Sequence, residues 1–264
     1  MLLTIGMLIL LSVTSCSKIN SAETLFSEIS KRYNGTWYSN IKYMMSVVKI
    51  NDDGTEDRIT CSAEYVRPEQ YIIKKSITDG YLYKNDSIYE FKDGEFVSKK
   101  QGANDLVFVV MDIYGMSSSE IISKMKETNL VDVSEFCIYT DPSTKKEFYI
   151  VGISSYNEQN KSKNQIWFDA ETLLPKKLQR NIDNHLYAAE FENYIQVSGS
   201  GYLPQKIVYF KDGKQRLIKR IYDAYIPINE KKELSVENIC NYDTFNDLQQ
   251  NPNSNYSLNI IVDP

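Results

Sequence analysis

The sequence predicts an α+β protein in which a large, curved antiparallel sheet forms a half-barrel with a helical lid on its concave face. Three observations support this prediction. Segments of alternating apolar and polar residues recur along most of the chain between turn signals. Two segments with helical periodicity interrupt them midway. A long sheet without a partner sheet must curl or be covered, and the predicted helices are the available cover.

The first fifteen residues predict an export signal. They carry no charge, and residues 2–11 form an apolar run. This run is shorter than the roughly 18 residues that span a bilayer, but it suits the apolar region of a signal peptide. The segment Val13-Thr14-Ser15-Cys16 resembles the bacterial lipobox, which makes Cys16 the predicted lipidation site. The usual basic start is absent, and the alternative is a buried N-terminal helix with an ordinary cysteine.

The predicted organisation has four parts. A signal peptide covers residues 1–15, and a lipidated tether covers 16–23. One domain follows at 24–240, and a polar, Asn-rich tail covers 241–264 with a single candidate strand at 258–262. The chain shows no linker that would divide the domain.

The first half of the domain begins with a helix at 24–33, which Asn34-Gly35 ends. A long strand at 37–50 follows, because residues 41, 43, 45 and 47 are apolar and the residues between them, apart from Met44, are polar. Asp-Gly pairs then predict hairpin turns, since glycine adopts positive φ at little cost. These pairs stand at residues 53–54, 79–80, 93–94 and 212–213. The candidate strands here are 58–66, 71–77, 81–83, 87–91 and 96–99.

The middle of the chain predicts a helical hairpin. Apolar residues at helical spacing indicate a first helix at 104–114. After Gly115, the run from Ser117 to Glu120 fits a capping box and starts a second helix. Strands resume at 135–140, 147–153, 164–169, 174–180, 186–197, 206–210 and 216–225.

Composition excludes several classes of function. The net charge of −5 and the scattered lysines and arginines exclude an electrostatic nucleic-acid site. Besides Cys16, the cysteines Cys61, Cys137 and Cys240 allow at most one internal disulfide and match no zinc pattern. We expect them to be buried or half-buried thiols. The 20 tyrosines favour β structure and indicate binding only weakly.

The sequence contains no motif that predicts an enzyme, a metal site or a cofactor. His185 is the only histidine, and we expect it in an exposed turn. No nucleophile elbow, phosphate-binding loop or dinucleotide fingerprint is present in the sequence. The acidic residues between 52 and 57 are interpreted as a solvated hairpin tip. A hydrolase with a spatially assembled carboxylate pair is the remote alternative.

The best candidate site is an apolar cavity under the helical lid. A curved sheet with helices over its mouth can hold such a cavity, lined by aliphatic and aromatic side chains. The alternative is that these side chains simply fill the core. The candidate residues on strands are Ile41, Tyr43, Met45, Ile73, Phe168, Phe191 and Tyr209, and those on the lid are Leu106, Val110, Ile113 and Tyr114.

One stretch resembles a known family. Residues 164–177 read Asn-Gln-Ile-Trp-Phe-Asp-Ala-Glu-Thr-Leu-Leu-Pro-Lys-Lys. This resembles the outer-membrane lipoprotein-sorting family, the LolA/LolB-like half-barrels, in which a strand ending in Asp leads through a short turn to Leu-Pro. Residues 65–71 are similar to the strand–proline–strand step of that family. The resemblance covers roughly residues 24–238 and rests on short motifs.

The resemblance implies an incomplete barrel whose apolar concave face accepts the acyl chains of lipoproteins. LolB-like members are themselves outer-membrane lipoproteins, and the lipobox favours that kind. The chain is longer than typical members of the family and matches no receiving-loop signature. The implied protein is a monomer, anchored by lipid on the periplasmic side of the outer membrane of a Gram-negative-type bacterium.

The first functional hypothesis is therefore a non-catalytic protein that binds acyl chains, a lipoprotein or another apolar ligand. The alternative is an envelope lipoprotein that binds a glycan or a protein partner through its outer sheet surface. An aromatic patch on the convex face would favour that alternative.

Overall fold

The computed structural model describes residues 19–68, 70–102 and 104–227. The N-terminal residues with Cys16, the segment from 228 onward with Cys240, and the candidate strand at 258–262 lie outside these ranges. The helices are α1 (Ala22–Tyr33), α2 (Asp105–Val110) and α3 (Ser118–Glu127), with a 3-10 turn at Asp112–Gly115.

All strands of the described ranges belong to one sheet. In chain order they are β1 (Asn40–Ile50), β2 (Glu56–Val66), β3 (Gln70–Lys74), β4 (Gly80–Lys84), β5 (Ser87–Lys92), β6 (Glu95–Gln101), β7 (Phe136–Thr140), β8 (Glu147–Val151), β9 (Gln165–Asp169), β10 (Pro175–Ile182), β11 (His185–Gln196), β12 (Tyr202–Lys211) and β13 (Lys214–Tyr225).

The sheet has thirteen strands in the order β6-β5-β4-β3-β2-β1-β13-β12-β11-β10-β9-β8-β7. Successive hairpins carry the chain from β1 to one edge at β6. The helices then cross to the opposite edge at β7, and hairpins return the chain to β13, which pairs with β1. The paired strands are antiparallel throughout this sheet. The predicted α+β class, with one large antiparallel sheet and covering helices, is confirmed.

Two of the predicted Asp-Gly turns have the geometry that tight hairpins need. Both residues of the 93–94 and 212–213 pairs have positive φ, between 51° and 80°. Gly80 differs, because it opens β4 without a positive φ. A Cβ there would lie 2.3 Å from the carbonyl oxygen of Ile73. The prediction of a positive-φ turn at Gly80 is therefore wrong. Glycine is needed there because the neighbouring strand backbone at Ile73 leaves no room for a side chain.

Two hairpin turns were not predicted from the sequence because they contain no glycine. Asn85 and Asp86 connect β4 to β5, and Asp183 and Asn184 connect β10 to β11. All four have φ between 50° and 64°. Asn and Asp tolerate this region because their short polar side chains bond locally.

Helix boundaries follow local capping groups. The hydroxyl oxygen of Ser21 accepts the backbone N–H of Thr24 at 3.1 Å, so α1 begins at Ala22, within the predicted tether. The predicted helix at 104–114 divides into α2 and the 3-10 turn, because Met111 leaves helical geometry at φ −124°. The capping box between Ser117 and Glu120 is present as predicted.

An aromatic cluster fills one end of the concave face, where α1, α3 and the 3-10 turn pack together. The Trp37 ring stacks on Tyr114 with centroids 4.0 Å apart. On α1, Phe26 contacts Phe168 of β9 edge to face at 6.1 Å. This end of the sheet is densely packed. In the described part of the chain, no helix has the length and apolar character to cross a membrane.

Candidate functional site

The other end of the concave face is hollow. A cavity of about 970 Å³ lies between the sheet and helices α2 and α3. Its volume falls at the upper end of the range of roughly 300–1,000 Å³ that is usual for small-molecule sites. The core of the domain is therefore not completely filled by its own side chains.

Six of the eleven predicted cavity residues line this space. The β1 residues Tyr43 and Met45 stand on the same face of their strand, two positions apart. The lid helix α2 contributes Leu106 and Val110. The remaining two are Ile73 on β3 and Tyr209 on β12. The structure thus brings side chains from distant parts of the chain around one hollow.

The other five predicted residues lie outside the cavity and are buried in the packed end of the domain. They are Ile41, Ile113, Tyr114, Phe168 and Phe191. Ile41 shares a strand face with Tyr43 but stands one step nearer the aromatic cluster. The Tyr114 hydroxyl donates to the carbonyl oxygen of Leu173 at 3.0 Å, which fixes the ring in the core. These five side chains fill the core, which was the alternative to a role in the cavity.

Most of the cavity wall on the last four strands was not predicted from the sequence, and Tyr209 of β12 is the exception. β13 presents Leu217, Lys219 and Ile221 to the cavity at alternate positions. Strand alternation could have identified the two aliphatic residues. The lysine breaks that pattern. The other missed wall residues on these strands include Leu178, Ala189, Leu203 and Ile207.

Tyrosine hydroxyls supply polar groups within the apolar wall. The Tyr43 and Tyr71 hydroxyls lie 2.7 Å apart and share a hydrogen bond. The buried Tyr209 hydroxyl has no hydrogen-bond partner within the described ranges. Burial raises the pKa of Tyr43, Tyr71 and Tyr209 above the ordinary tyrosine value, so all three are neutral at physiological pH.

Lys219 is the one lysine of β13 that is buried in the cavity wall, with 6% of its surface exposed. Its Nζ lies 5.2 Å from the centroid of the Tyr209 ring. Burial lowers the pKa of Lys219 to about 8, because a charge loses its hydration in this position. The ammonium group is therefore largely protonated at neutral pH.

The mouth of the cavity carries ion pairs. Lys124 of α3 lies 3.1 Å from the Asp86 carboxylate, and Arg180 of β10 lies 2.5 Å from Asp105 of α2. Both pairs join a lid helix to the sheet or its hairpins. Burial raises the pKa of Asp105, and the neighbouring Arg180 opposes that rise. The Asp105–Arg180 pair therefore holds its charges in a partly desolvated place.

Two further pairs lie between the sheet hairpins at this mouth. Arg216 contacts the exposed Asp52 carboxylate, and His185 Nδ1 lies 2.8 Å from Asp212 Oδ2. His185 is the first residue of β11, half exposed, next to the turn in which we expected it. Among residues 19–68, 70–102 and 104–227, no group of three or more metal-ligating side chains is assembled. The mouth offers charge pairs and the interior offers apolar surface.

The convex face carries a separate aromatic cluster near the β7 edge. The Tyr156 ring contacts Tyr139 at 4.8 Å and Trp167 at 4.9 Å between centroids. Phe148 adjoins Trp167 at 5.7 Å. Trp167 points away from the concave face, because the next residue along β9, Phe168, packs against α1. This outer aromatic cluster is partly exposed at Tyr156.

Comparisons with known proteins find similarity in solved structures. No protein-family model matches the chain, and no curated protein is similar to it in sequence. Three similar structures are a LolA superfamily protein from Nitrosomonas europaea, a domain described as an outer membrane lipoprotein-sorting protein from Vibrio parahaemolyticus, and a DUF1329 family protein from Desulfovibrio piger.

Sequence identity to these three is 11%, 10% and 12%, with TM-scores of 0.48, 0.49 and 0.49. The matches cover 83%, 82% and 83% of this chain and 97%, 95% and 95% of the respective structures. The chain is thus similar, at low sequence identity, to LolA superfamily and lipoprotein-sorting structures over most of its length.

Proposed function

We propose that this protein is a non-catalytic, lipid-anchored component of the bacterial cell envelope that binds acyl chains or another apolar ligand in its cavity. The observation that carries the proposal is the hollow of about 970 Å³ beneath α2 and α3, in a domain whose other end is densely packed. An unfilled apolar hollow costs stability unless a ligand occupies it. A ligand that buries its methylene groups there would recover that cost.

No covalent step is needed for such a function. Each buried methylene group contributes about 0.8 kcal/mol, so one long acyl chain supplies enough free energy for firm binding. The tyrosine hydroxyls in the wall provide the few polar contacts that orient a ligand. The ion pairs at the mouth hold the lid against the sheet while the ligand is bound.

The test is occupancy of the cavity. Protein extracted from membranes in mild detergent should carry co-purifying lipid in native mass spectrometry, and delipidated protein should bind a fluorescent fatty acid. Ala189→Phe should abolish both signals, because Ala189 lines the cavity and pairs with two other lining residues, Leu178 and Tyr209. Gln205→Phe, at an exposed position of β12 outside the lining, is the matched control and should bind normally.

Absence of lipid from the wild type, together with no binding of the fluorescent fatty acid, would refute the cavity proposal. Equal binding by Ala189→Phe and the wild type would also refute it, provided that both proteins unfold cooperatively at similar temperatures.

The anchoring proposal is tested separately. Labelling of cells with a clickable palmitate analogue should mark the wild type and leave Cys16→Ala unlabelled, because lipid is attached to that thiol in lipoproteins. The Cys16→Ala protein should also leave the membrane fraction. Equal labelling of both proteins would contradict the anchor without affecting the cavity.

A second candidate function is recognition of a glycan by the convex face. The outer aromatic cluster of Tyr139, Phe148, Tyr156 and Trp167 is the observation that favours it. Aromatic rings offer apolar faces on which sugar rings stack. Sedimentation with peptidoglycan would test this function: Tyr156→Ala should reduce it, and Ala189→Phe should not. No sedimentation of the wild type would exclude it.

A further inference from the structure

Lys219 occupies an unusual place for a lysine. It stands in the middle of β13, opposite Val47 of β1 on one side and Ile207 of β12 on the other. The neighbours at alternate positions on its own strand are Leu217 and Ile221, and both line the cavity with it. The side chain therefore enters the hollow from the centre of the sheet, with apolar residues opposite it on both neighbouring strands and two positions away on its own strand.

The Lys219 ammonium group has no carboxylate partner in the described part of the chain. The nearby titratable group on β2 is the Cys61 thiol, and burial raises its pKa to about 12, so it carries no negative charge at neutral pH. The contact to the Tyr209 ring contributes attraction without cancelling the charge. By contrast, the buried Lys42 on the opposite face of β1 lies 3.7 Å from the Glu64 carboxylate.

A second unpartnered group lies beside it. The Tyr209 hydroxyl is buried and forms no hydrogen bond to the described residues, although its own ring adjoins Lys219 Nζ. A buried hydroxyl without a partner is unfavourable, and a buried charge without one is more so. The Tyr209 hydroxyl has almost no surface accessible from the cavity, so the Lys219 ammonium group is the one of the two that an anionic ligand can reach.

We propose that Lys219 binds the anionic head group of a single-chain amphiphile, a long-chain carboxylate, whose tail occupies the rest of the cavity. This inference rests on the proposed function, because it names the ligand class of the same cavity. The head group binds inside the hollow at the centre of the sheet, and the apolar wall covers the tail. A neutral ester or alcohol of the same chain length would leave the ammonium group unpaired.

The experiment compares two probes of equal chain length, palmitate and its methyl ester, by competition with a fluorescent fatty acid. Wild-type protein should bind palmitate at least about tenfold more tightly, because a charge-assisted hydrogen bond contributes that factor or more. Lys219→Met should lose this preference and still bind the ester. Tyr209→Phe should keep the preference, because the ring beside Lys219 remains and the hydroxyl does not face the cavity.

Lys211→Met is the matched control. Lys211 lies at the mouth with its Nζ 5.3 Å from the Tyr187 ring, which repeats the lysine–tyrosine contact at a solvated position. This variant should keep the preference for palmitate. Should Lys219→Met fail to fold, Lys219→Gln retains a polar side chain without charge and serves the same comparison.

Equal affinity of the wild type for palmitate and the ester would overturn the carboxylate proposal and leave the cavity function standing. A preference that survives in the uncharged variant would overturn the role of Lys219. Failure of both probes to bind the wild type would instead refute the cavity function itself, and the inference with it.

Discussion

Arg180 on β10 and Asp105 on α2 lie 2.5 Å apart, between Nη1 and Oδ2, and this pair ties the lid helix to the sheet at the cavity mouth. Both side chains are largely shielded from solvent, so water screens their attraction less than at an exposed pair. Opening the lid must separate the two charges. The pair therefore contributes to the barrier for ligand entry and release.

Breaking this pair should accelerate ligand exchange. We expect Arg180→Met to release a fluorescent fatty acid about tenfold faster than the wild type in stopped-flow displacement, since roughly 1.4 kcal/mol corresponds to that factor. Asp105→Asn should act in the same direction. Arg216→Met is the control, because Arg216 pairs with Asp52 at the same mouth but joins two hairpins of the sheet and no helix. Unchanged release by Arg180→Met would exclude the pair as a latch.

Replacing Lys219 should stabilise the ligand-free protein. Burial lowers the pKa of this lysine from 10.5 to about 8, and each pKa unit corresponds to about 1.4 kcal/mol. Lys219→Met should therefore raise the free energy of unfolding at pH 7 by roughly 1–3 kcal/mol in urea titrations. Lys211→Met, at the solvated mouth, should change it by less than about 0.5 kcal/mol. Destabilisation by Lys219→Met would show that the charge is compensated.

The difference in unfolding free energy between Lys219→Met and the wild type should become smaller as pH rises. Between pH 8 and 10.5 the unfolded chain holds the Lys219 proton more tightly than the folded protein, so the wild type gains stability relative to Lys219→Met as pH rises through this window. Below pH 8 both states are protonated, and the difference between the two proteins should be constant. Titration of the tyrosines and cysteines contributes equally to both proteins and does not affect the difference between them. A difference that is flat up to pH 10 would contradict the lowered pKa.

Anion binding should weaken above the pKa of Lys219. An alkyl sulfonate stays ionised at every pH tested, so any change in its affinity reports on the protein. The titratable groups that face Lys219, Cys61 on β2 and Tyr209 on β12, have raised pKa values and stay neutral. We expect constant affinity up to about pH 7.5 and a loss of up to tenfold per pH unit beyond about pH 8. Lys219→Met should show no such slope.

An added methyl group at Gly201 should destabilise the packed end of the domain. A Cβ there would lie 2.5 Å from the Trp37 ring, which is buried and held by its stacking on Tyr114. Gly201→Ala should cost roughly 1–3 kcal/mol in thermal or urea unfolding. In Gly102→Ala the new Cβ would meet only the end of the flexible Ile88 side chain, at 2.9 Å, and the cost should be smaller. An equal loss of unfolding free energy in the two variants would show that the Trp37 ring can move away from the added methyl group.

Much of the fold could be predicted because its signals are local. The capping box at Ser117 depends on residues three positions apart, and the hairpin at 212–213 depends on the backbone freedom of one glycine. Strand alternation correctly placed Tyr43 and Met45 on one face. The same reasoning failed at Gly80 and at the 183–184 turn, because the conformation there depends on neighbouring strands or on Asn and Asp in place of glycine.

The candidate site was predictable only in part. The sequence identified apolar, inward-facing residues but gave no means to separate Tyr43, beside the hollow, from Ile41, in the packed core. That distinction depends on where the helices cross the sheet. Lys219 was missed because a lysine within an alternating strand is ordinarily assigned to the solvent-facing side.

The sequence alone therefore determined the class of fold, the antiparallel hairpins and the apolar character of the inner face, because these follow from backbone preference and side-chain periodicity over a few residues. Only the tertiary structure decided that the inner face is hollow at one end and which six of the predicted side chains border the hollow. It also decided that a lysine without a carboxylate partner among the described residues enters it. The physical reason is that a cavity is a property of packing between distant segments, here β13, β1 and the lid helices. No local pattern encodes the distance between them.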